Sequence, residues 1–212
     1  MKVGVIDYGV GNLGSVMRAL EELRVSPMLI NSAANLHTAN CLILPGVGNF
    51  ADCARLLNEN DWTTALHDAV HGYKRPLLGV CVGMQLLADS STEGAIEGLS
   101  TRGLGFIPGQ VRHLRSFNCR LPIPHVGWNG ITRTRTDDHL FDTIPDGTDF
   151  YFVHSYAFAV YDSANVIATT DYGVVIPAAV QRDHIWGTQF HPEKSSRAGF
   201  KVLKNFIEGT AC

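Results

Sequence analysis

The amino-acid sequence predicts an α/β fold in which a mainly parallel sheet is flanked by helices, with additional antiparallel strands in the C-terminal half. Three observations support this prediction. Over the first half of the chain, short β-rich runs alternate with amphipathic helical stretches. The runs are apolar on both faces, as strands covered by helices on each side are. Beyond Gly103, strand-like runs separated by turn residues replace the helical stretches.

The N-terminal half is predicted to consist of β-α-β units. The first strand, KVGVID, precedes apolar residues at helical spacing, which are Leu13, Val16, Met17, Leu20 and Leu23. The strands PMLI and CLILPG follow, then helical patterns near residues 50–58 and 62–70, then a strand PLLGVC. Functional loops in such folds lie at the carboxyl ends of the strands, so we expect the site at that edge of the sheet.

The C-terminal half is predicted to form short β-strands followed by one helix. The strand-like runs are GLGF, QVRHL, DFYFVHSY, NVIATT, AAVQ and IWGTQF. Residues 182–184 separate the last two runs and indicate a hairpin. The stretch that begins with HPEKSS predicts a terminal helix with Phe200, Leu203, Phe206 and Ile207 on one face.

Composition is typical of a single globular domain spanning residues 1–212. Of the 212 residues, 45% are hydrophobic and 17% are charged, which is sufficient for a full core. The formal net charge is -3 and basic residues are scattered, so we expect neither nucleic acid nor a membrane surface as a partner. The start of the chain lacks a secretion signal, and no apolar run approaches the roughly 20 residues of a membrane span. These features predict a cytoplasmic protein.

The cysteines are predicted to be reduced thiols. They are odd in number, widely spaced and never in a CxxC pair, at Cys41, Cys53, Cys81, Cys119 and Cys212. This spacing argues against both a disulfide framework and a zinc site, and we expect no metal ion.

The stretch GVGNLG at residues 9–14 matches the GxGxxG fingerprint of dinucleotide-binding proteins between a strand and a helix. That fingerprint also needs an acidic residue about 20 positions further on, where this sequence has LINSAAN. We therefore interpret these glycines as a tight turn and expect no cofactor.

Cys81 lies in a pattern that favours a nucleophile over a buried structural thiol. Free cysteine is usually buried and inert, so the simpler interpretation is a small hydrophobe in a tight turn. However, Gly79 and Gly83 give the Gly-x-nucleophile-x-Gly form of an α/β-hydrolase elbow, where glycines relieve crowding between strand and helix. A helix beginning near Met84 would direct its N-terminal N–H groups at the sulfur.

His191 and Glu193, in the motif FHPE, are predicted to be the base and its orienting carboxylate. In an extended chain, residues i and i+2 point the same way, so Glu193 can accept from one imidazole nitrogen while the other faces a thiol. The alternatives are a surface His-Pro turn, or a metal site for which no further clustered ligands are present.

Acyl transfer at a cysteine also needs N–H donors for the developing oxyanion. The N–H of Val82, directly after the nucleophile, is expected to be one of them. The loop PGVG at residues 45–48 follows a strand at the same sheet edge and is a second source, although it can equally be an ordinary turn.

Three separated motifs, PGVG, GVCVGMQLL and FHPEKS, resemble those of the triad-type (class I) glutamine amidotransferases in order and spacing, over nearly the whole chain. Three narrower ones, DYGVGNLGS, LPIPHVGWN and YFVHSYA, resemble the glutaminase subunits of imidazole glycerol phosphate synthases. The resemblance implies the class I amidotransferase fold and a triad in which Cys81 attacks the side-chain amide of glutamine, His191 moves protons and Glu193 orients His191. A γ-glutamyl thioester and ammonia would form, and water would then release glutamate.

The resemblance also implies which residues surround the substrate. The residues that would bind glutamine are Gln85, Glu93, Gly48, Ser155 and Tyr156, the last three through their backbone. The oxyanion site would use Val82, Val47 and Gly48. It would be incomplete in the isolated subunit until a peptide near Val47 flips in response to ligand in a partner.

The partner that the resemblance implies is a separate (β/α)₈ cyclase subunit in a heterodimer. It would use the ammonia to make imidazole glycerol phosphate and an aminoimidazole carboxamide ribotide in histidine biosynthesis. The residues that would lie at the cyclase-facing mouth are Asn12, His125, Val126, Trp128, Tyr151 and Lys194. Val126 stands where relatives commonly have methionine, and Val82 where many have leucine.

Three other functions compete with this interpretation. The same glutaminase could serve a different synthase, such as one that aminates surface sugars. A cysteine hydrolase or peptidase on a related fold would need neither Gln85 nor Glu93, nor a protein-facing Trp128. A binding module could retain the fold without catalysis.

Overall fold

The computed structural model describes residues 1–96 and 99–210. These residues form two sheets and the helices around them. The strands are β1 (Lys2–Ile6), β2 (Ser26–Ile30), β3 (Cys41–Gly46), β4 (Leu77–Cys81), β5 (Ser90–Ser91), β6 (Thr101–Arg102), β7 (Gly109–His113), β8 (His125–Arg133), β9 (Asp149–His154), β10 (Tyr156–Val160), β11 (Val166–Asp171), β12 (Val175–Arg182) and β13 (Ile185–Thr188). The α-helices are α1 (Leu13–Glu22), α2 (Phe50–Glu59), α3 (Trp62–His67), α4 (Val82–Gln85) and α5 (Ser196–Gly209). A π-helical turn, Asp68–Gly72, extends α3, and 3₁₀ turns cover Ala33–Thr38, Leu114–Phe117, His139–Phe141, Ser163–Asn165 and Pro192–Lys194.

The larger sheet has the strand order β2-β1-β3-β4-β13-β12-β11-β8-β9. Its first five strands are parallel and the remaining ones pair antiparallel. The smaller sheet has the order β10-β7-β5-β6. The predicted fold class, a mainly parallel sheet with antiparallel strands in the C-terminal half, is therefore confirmed.

Burial explains why the apolar runs form the centre of the larger sheet. Every residue of β3 and β4 is buried, as expected for parallel strands with both faces covered. Helix α1 buries Val16, Ala19 and Leu20, which lie three or four residues apart on one face. Helix α5 buries the predicted Leu203, Phe206 and Ile207, whereas Phe200 is only partly buried. The hairpin at residues 182–184 is present between β12 and β13, with Asp183 at φ 53°.

Two strand predictions for the C-terminal half need correction. The run GLGF is not a strand, because the backbone N–H groups of Leu104 and Gly105 donate to Leu86 and Ala88 in the turns after α4. The run DFYFVHSY is not one strand, because it divides at Ser155 into β9 of the larger sheet and β10 of the smaller one.

Strand β8 was not predicted from the sequence. Its glycines, Gly127 and Gly130, interrupt the alternation, and its apolar residues Val126 and Trp128 face outward instead of into the core. The usual pattern of apolar residues inside and polar residues outside is therefore reversed over residues 125–128, whereas Ile131 further along the strand is buried as usual.

None of the helices in the described ranges has the length and apolar character that crossing a bilayer requires. Four cysteines, Cys41, Cys53, Cys81 and Cys119, are free and buried, whereas Cys212 lies outside the described residues.

Candidate active site

Cys81 is the last residue of β4 and directly precedes α4, at the carboxyl edge of the larger sheet. Its backbone has φ 56° and ψ -111°, a conformation that is strained for a residue with a side chain. A Cβ atom at Gly83 would collide with the carbonyl oxygen of Leu44, and one at Gly79 would lie 2.5 Å from the carbonyl oxygen of Gly83. Both glycines are thus required by close backbone approach, as in a nucleophile elbow. Helix α4 begins at Val82, two residues before the predicted start near Met84, and has only four residues.

His191 follows β13 and is held beside Cys81 by backbone and side-chain contacts. Its N–H donates to the carbonyl of Tyr151 at 3.0 Å, and its carbonyl accepts from Ser195 Oγ at 2.6 Å. The imidazole Nδ1 lies 2.8 Å from Glu193 Oε1, which leaves Nε2 for the thiol. The prediction that residues 191–193 are extended is wrong, because Glu193 lies in a 3₁₀ turn. The turn nevertheless places the Glu193 carboxylate beside the His191 ring.

The electrostatics of this cluster favour a charged imidazole. Burial opposes the charge on His191, but hydrogen bonds to Cys81 and Glu193, together with electrostatic interactions with both groups, raise the pKa of His191 to about 9. The sulfur of Cys81 also lies 3.9 Å from the carbonyl oxygen of Val153. The protonated imidazole is thus stabilised between a sulfur and a carboxylate.

Asn12, predicted at a partner-facing mouth, lies just before α1 and reaches the same carboxylate. Its Nδ2 donates to Glu193 Oε1 at 3.1 Å. The other oxygen, Glu193 Oε2, is buried without a protein partner. The structure thus extends the predicted set into a chain that runs from Asn12 through Glu193 and His191 to Cys81.

A cavity of about 290 Å³ opens in front of Cys81. It brings together all the residues that the sequence predicted around the substrate and the oxyanion. Its lining consists of Val47, Gly48, Cys81, Val82, Gln85, Glu93, Pro124, Val153, His154, Ser155, Tyr156 and His191. The volume suits a small polar molecule rather than an extended polymer.

Two polar side chains in this cavity have fixed orientations. Gln85 is buried, and its Nε2 donates to the carbonyl of Tyr156 and to Gln189 Oε1, both at 3.0 Å. Glu93 Oε2 accepts from the N–H of Phe50 at 2.9 Å, and burial raises the pKa of Glu93 although this hydrogen bond lowers it. Each of them retains one oxygen that is not used in these bonds.

Gln189 and His154 contribute to the site although the sequence analysis did not select them. Gln189 is fully buried, with Nε2 at 3.9 Å from Cys81 Sγ. His154 Nδ1 donates to the carbonyl of Tyr156 at 2.8 Å. The alternation in QFH, which places Gln189 two residues before His191, was a signal that could have identified the glutamine.

Next to the cavity, β8, β9 and the 3₁₀ turn Pro192–Lys194 carry five of the six residues predicted to meet a partner. Val126 and Trp128 are 54% and 53% exposed, and the ring of Trp128 lies 6.1 Å from that of Tyr151. Lys194 Nζ lies 5.9 Å from the Tyr151 ring. We refer to Val126, Trp128, Tyr151 and Lys194 as the β8–β9 face.

His125 requires a correction, because it lies beneath the β8–β9 face rather than on it. It is 2% exposed and stacks between the rings of Phe152 and Tyr172, with centroid distances of 4.9 and 3.9 Å. Its Nδ1 lies 3.0 Å from His154 Nε2. A direct contact between this side chain and a partner is therefore not supported.

Comparison with known proteins gives a consistent result. The family model described as glutamine amidotransferase class-I matches residues 4–209. Two curated relatives, each named imidazole glycerol phosphate synthase subunit HisH, come from Herpetosiphon aurantiacus and Desulfitobacterium hafniense. The relative from Herpetosiphon aurantiacus is 41% identical, and the alignment covers 97% of this chain and 93% of the relative. The relative from Desulfitobacterium hafniense is 44% identical, and the alignment covers 96% of this chain and 92% of the relative.

Solved structures agree at the level of the fold. A crystal structure of glutamine amidotransferase superposes with a TM-score of 0.75 at 19% identity, covering 99% of both chains. A chain from the structure of PurLQS from Thermotoga maritima gives 0.74 at 18% identity, covering 98% of both. Because the family model spans nearly all of this sequence and its relatives match over almost their full length, the chain belongs to the glutamine amidotransferase class-I family, within which it groups with the HisH subunits.

Proposed function

We propose that this chain is the glutaminase subunit of an imidazole glycerol phosphate synthase and hydrolyses glutamine through Cys81, His191 and Glu193. The observation that carries the proposal is the elbow at Cys81, which sets the sulfur beside an imidazole whose Nδ1 is bound by a buried carboxylate at 2.8 Å. This arrangement of nucleophile, base and orienting group is the one that acyl transfer needs.

The reaction follows from the position of each group. The sulfur of Cys81 bonds to the amide carbon of glutamine while the carbonyl electron pair moves to oxygen. Protonated His191 gives its proton to the amide nitrogen, the C–N bond breaks, and ammonia leaves a γ-glutamyl thioester. His191 then accepts a proton from water, the water oxygen bonds to the carbonyl carbon, and the C–S bond breaks to release glutamate.

Substrate recognition uses the two polar groups in the cavity. Both N–H groups of Gln85 are used within the protein, so it offers only Oε1, and Glu93 offers a carboxylate oxygen. Two acceptors, one of them a carboxylate, suit the α-ammonium of glutamine. The backbone of Gly48, Ser155 and Tyr156 would complete the amino-acid pocket.

The oxyanion is assigned to the N–H groups of Val82 and of the segment at Val47 and Gly48. Val82 is the first residue of α4, so its N–H has no partner within that helix. We propose that a peptide near Val47 flips when the partner binds its ligand, completing the oxyanion site. A high glutaminase rate in the isolated chain would contradict this coupling.

The partner is proposed to be a (β/α)₈ cyclase that docks on the β8–β9 face as a heterodimer and receives the ammonia. Exposed aromatic and aliphatic side chains beside the cavity support docking there, since aromatic residues are enriched in interface hot spots. The names of the relatives favour the histidine-pathway cyclase over a synthase that aminates surface sugars. A peptidase is less consistent with a cavity of about 290 Å³.

The test is to identify the subunit that co-purifies with this chain and to measure glutamine hydrolysis with and without that subunit's ligand. Cys81→Ala is expected to reduce hydrolysis at least a thousandfold while the complex still forms, because the nucleophile is lost. Cys119→Ala is the matched control, since that thiol contacts the carbonyl of Tyr172 away from the cavity. Undiminished turnover in Cys81→Ala would exclude the mechanism.

A further inference from the structure

We propose that Gln189 is a further residue of the thiol site, one whose side-chain amide donates an N–H to the sulfur of Cys81 and stabilises its thiolate. The proposal rests on the glutaminase function inferred above and adds to it a donor that is not part of the Cys-His-Glu set. The contact that suggests it joins Gln189 Nε2 to Cys81 Sγ at 3.9 Å.

The orientation of the Gln189 amide is fixed, through Gln85, by the backbone carbonyl of Tyr156. The carbonyl of Tyr156 can only accept, so the Gln85 atom that lies 3.0 Å from it must be the nitrogen. The same nitrogen lies 3.0 Å from Gln189, which must therefore present its oxygen to Gln85. The nitrogen of Gln189 is consequently the atom that faces Cys81.

Because Gln189 is buried, its amide nitrogen needs a hydrogen-bond partner within the protein. Gln189 is fully buried, and its backbone N–H donates to the carbonyl of Ala178 at 2.8 Å, directly after β13. A buried amide without partners is costly, and its side-chain oxygen is bound by Gln85. The sulfur is the partner found for its nitrogen, and donors to an anion form stronger bonds than donors to a neutral group.

The charge on the sulfur changes during the reaction, so the Gln189 N–H stabilises some steps more than others. It interacts most strongly with the free thiolate, before the C–S bond forms and again when that bond breaks. In the second step the water oxygen bonds to the thioester carbon, and the C–S electron pair remains on sulfur, where the Gln189 N–H meets the returning charge. The donor therefore assists both formation of the nucleophile and its release.

Two substitutions separate the donor from the rest of the side chain. Gln189→Glu keeps an oxygen for Gln85 but replaces the donor that faces the sulfur with an acceptor. Gln189→Met removes both polar atoms at similar size. The reactivity of the Cys81 thiolate in the complex is measured by alkylation with iodoacetamide between pH 6 and 10. The extent of alkylation is read by mass spectrometry of the Cys81 peptide. We expect both variants to react about tenfold more slowly at pH 7 and to need a higher pH for half-maximal rate.

Gln181→Glu is the matched control, since Gln181 lies on β12 and its Nε2 donates to the carbonyl of Asp183 in the hairpin. It should alkylate like the wild type. If Gln189→Glu retains its melting temperature and its alkylation profile matches the wild type, the proposal is overturned. If alkylation of Cys81 is slower in Gln189→Met but not in Gln189→Glu, the effect comes from the lost acceptor for Gln85, and the proposal is overturned as well.

The outcome is distinguishable from a failure of the proposed function. Slower alkylation in both variants with no glutamine hydrolysis by the wild-type complex would uphold the thiolate contact and reject the glutaminase. Glutamine hydrolysis that depends on Cys81, with unchanged alkylation in Gln189→Glu, would uphold the glutaminase function and reject the thiolate contact.

Discussion

At the scale of single residues, the buried histidines differ in charge because their partners differ. His191 has a thiol and a carboxylate beside it, and its pKa is raised. Burial keeps His154 and its neighbour His125 neutral. A neutral His154 that donates Nδ1–H to the carbonyl of Tyr156 has only Nε2 left as an acceptor, and this nitrogen accepts from Nδ1–H of His125. The cause of this neutrality is burial, which lowers the pKa of His125 to about 4 and that of His154 to about 3.

This neutral pair predicts loss of stability in mild acid. An unfolded histidine binds a proton near pH 6.5, so between about pH 6.5 and 4 the unfolded chain holds more protons than the folded one. The free energy of unfolding should thus decrease as pH falls through this window, by about 1.4 kcal/mol per pH unit for each histidine. In His125→Phe, which keeps a ring between Phe152 and Tyr172, urea unfolding between pH 4.5 and 7 should show a shallower slope.

The control for this measurement is His37→Gln, because His37 is an exposed histidine in the 3₁₀ turn after β2. It should retain the wild-type slope. The same slope in His125→Phe as in the wild type would show that His125 is not held neutral by the fold.

At the scale of elements, the turn from β4 into α4 depends on glycines that approach other backbone. Gly83→Ala should destabilise the protein by about 2 to 3 kcal/mol, because its Cβ would overlap the carbonyl of Leu44 in a core that cannot give way. This corresponds to a fall in melting temperature of about 5 to 10 °C for a chain of this size. Scanning calorimetry measures it.

Gly72→Ala is the comparison for this substitution. Gly72 ends the π-helical turn after α3, and a Cβ there would meet no atom within 4 Å. Its melting temperature should stay within a few degrees of the wild type. Equal effects at the two positions would mean that close approach at the elbow does not determine the loss.

The elements also show how far sequence reasoning extends. The parallel strands were predicted because they are short, continuous apolar runs, and α1, α2 and α5 because their apolar residues recur at helical spacing. Strand β8 was missed because Val126 and Trp128 point outward, and GLGF was misassigned because its backbone bonds to distant turns. In the site, Cys81 and His191 lie in recognisable motifs. The alternation in QFH indicates only that Gln189 points the same way as His191, whereas its contact with Cys81 joins residues 108 positions apart.

At the scale of the whole molecule, the cavity and the β8–β9 face lie on neighbouring strands, so a partner seated on that face would lie next to the cavity. His125 joins the two regions from below, since its ring lies under the face while its partner His154 lines the cavity. Exposed apolar side chains such as Val126 and Trp128 beside a cavity are typical of a surface that binds another protein.

The proposed docking on this face predicts that Trp128→Ala weakens binding of the proposed partner subunit. Loss of an interfacial tryptophan typically costs about 2 kcal/mol, or roughly thirtyfold in Kd, and calorimetric titration measures it. Tyr73→Ala is the control, because Tyr73 is 67% exposed but precedes β4, at the opposite end of that strand from Cys81. An unchanged Kd for Trp128→Ala, with the fold retained, would place the partner on another surface. Weaker binding with normal turnover at saturating partner would show that Trp128 contributes to docking and not to the chemistry at Cys81.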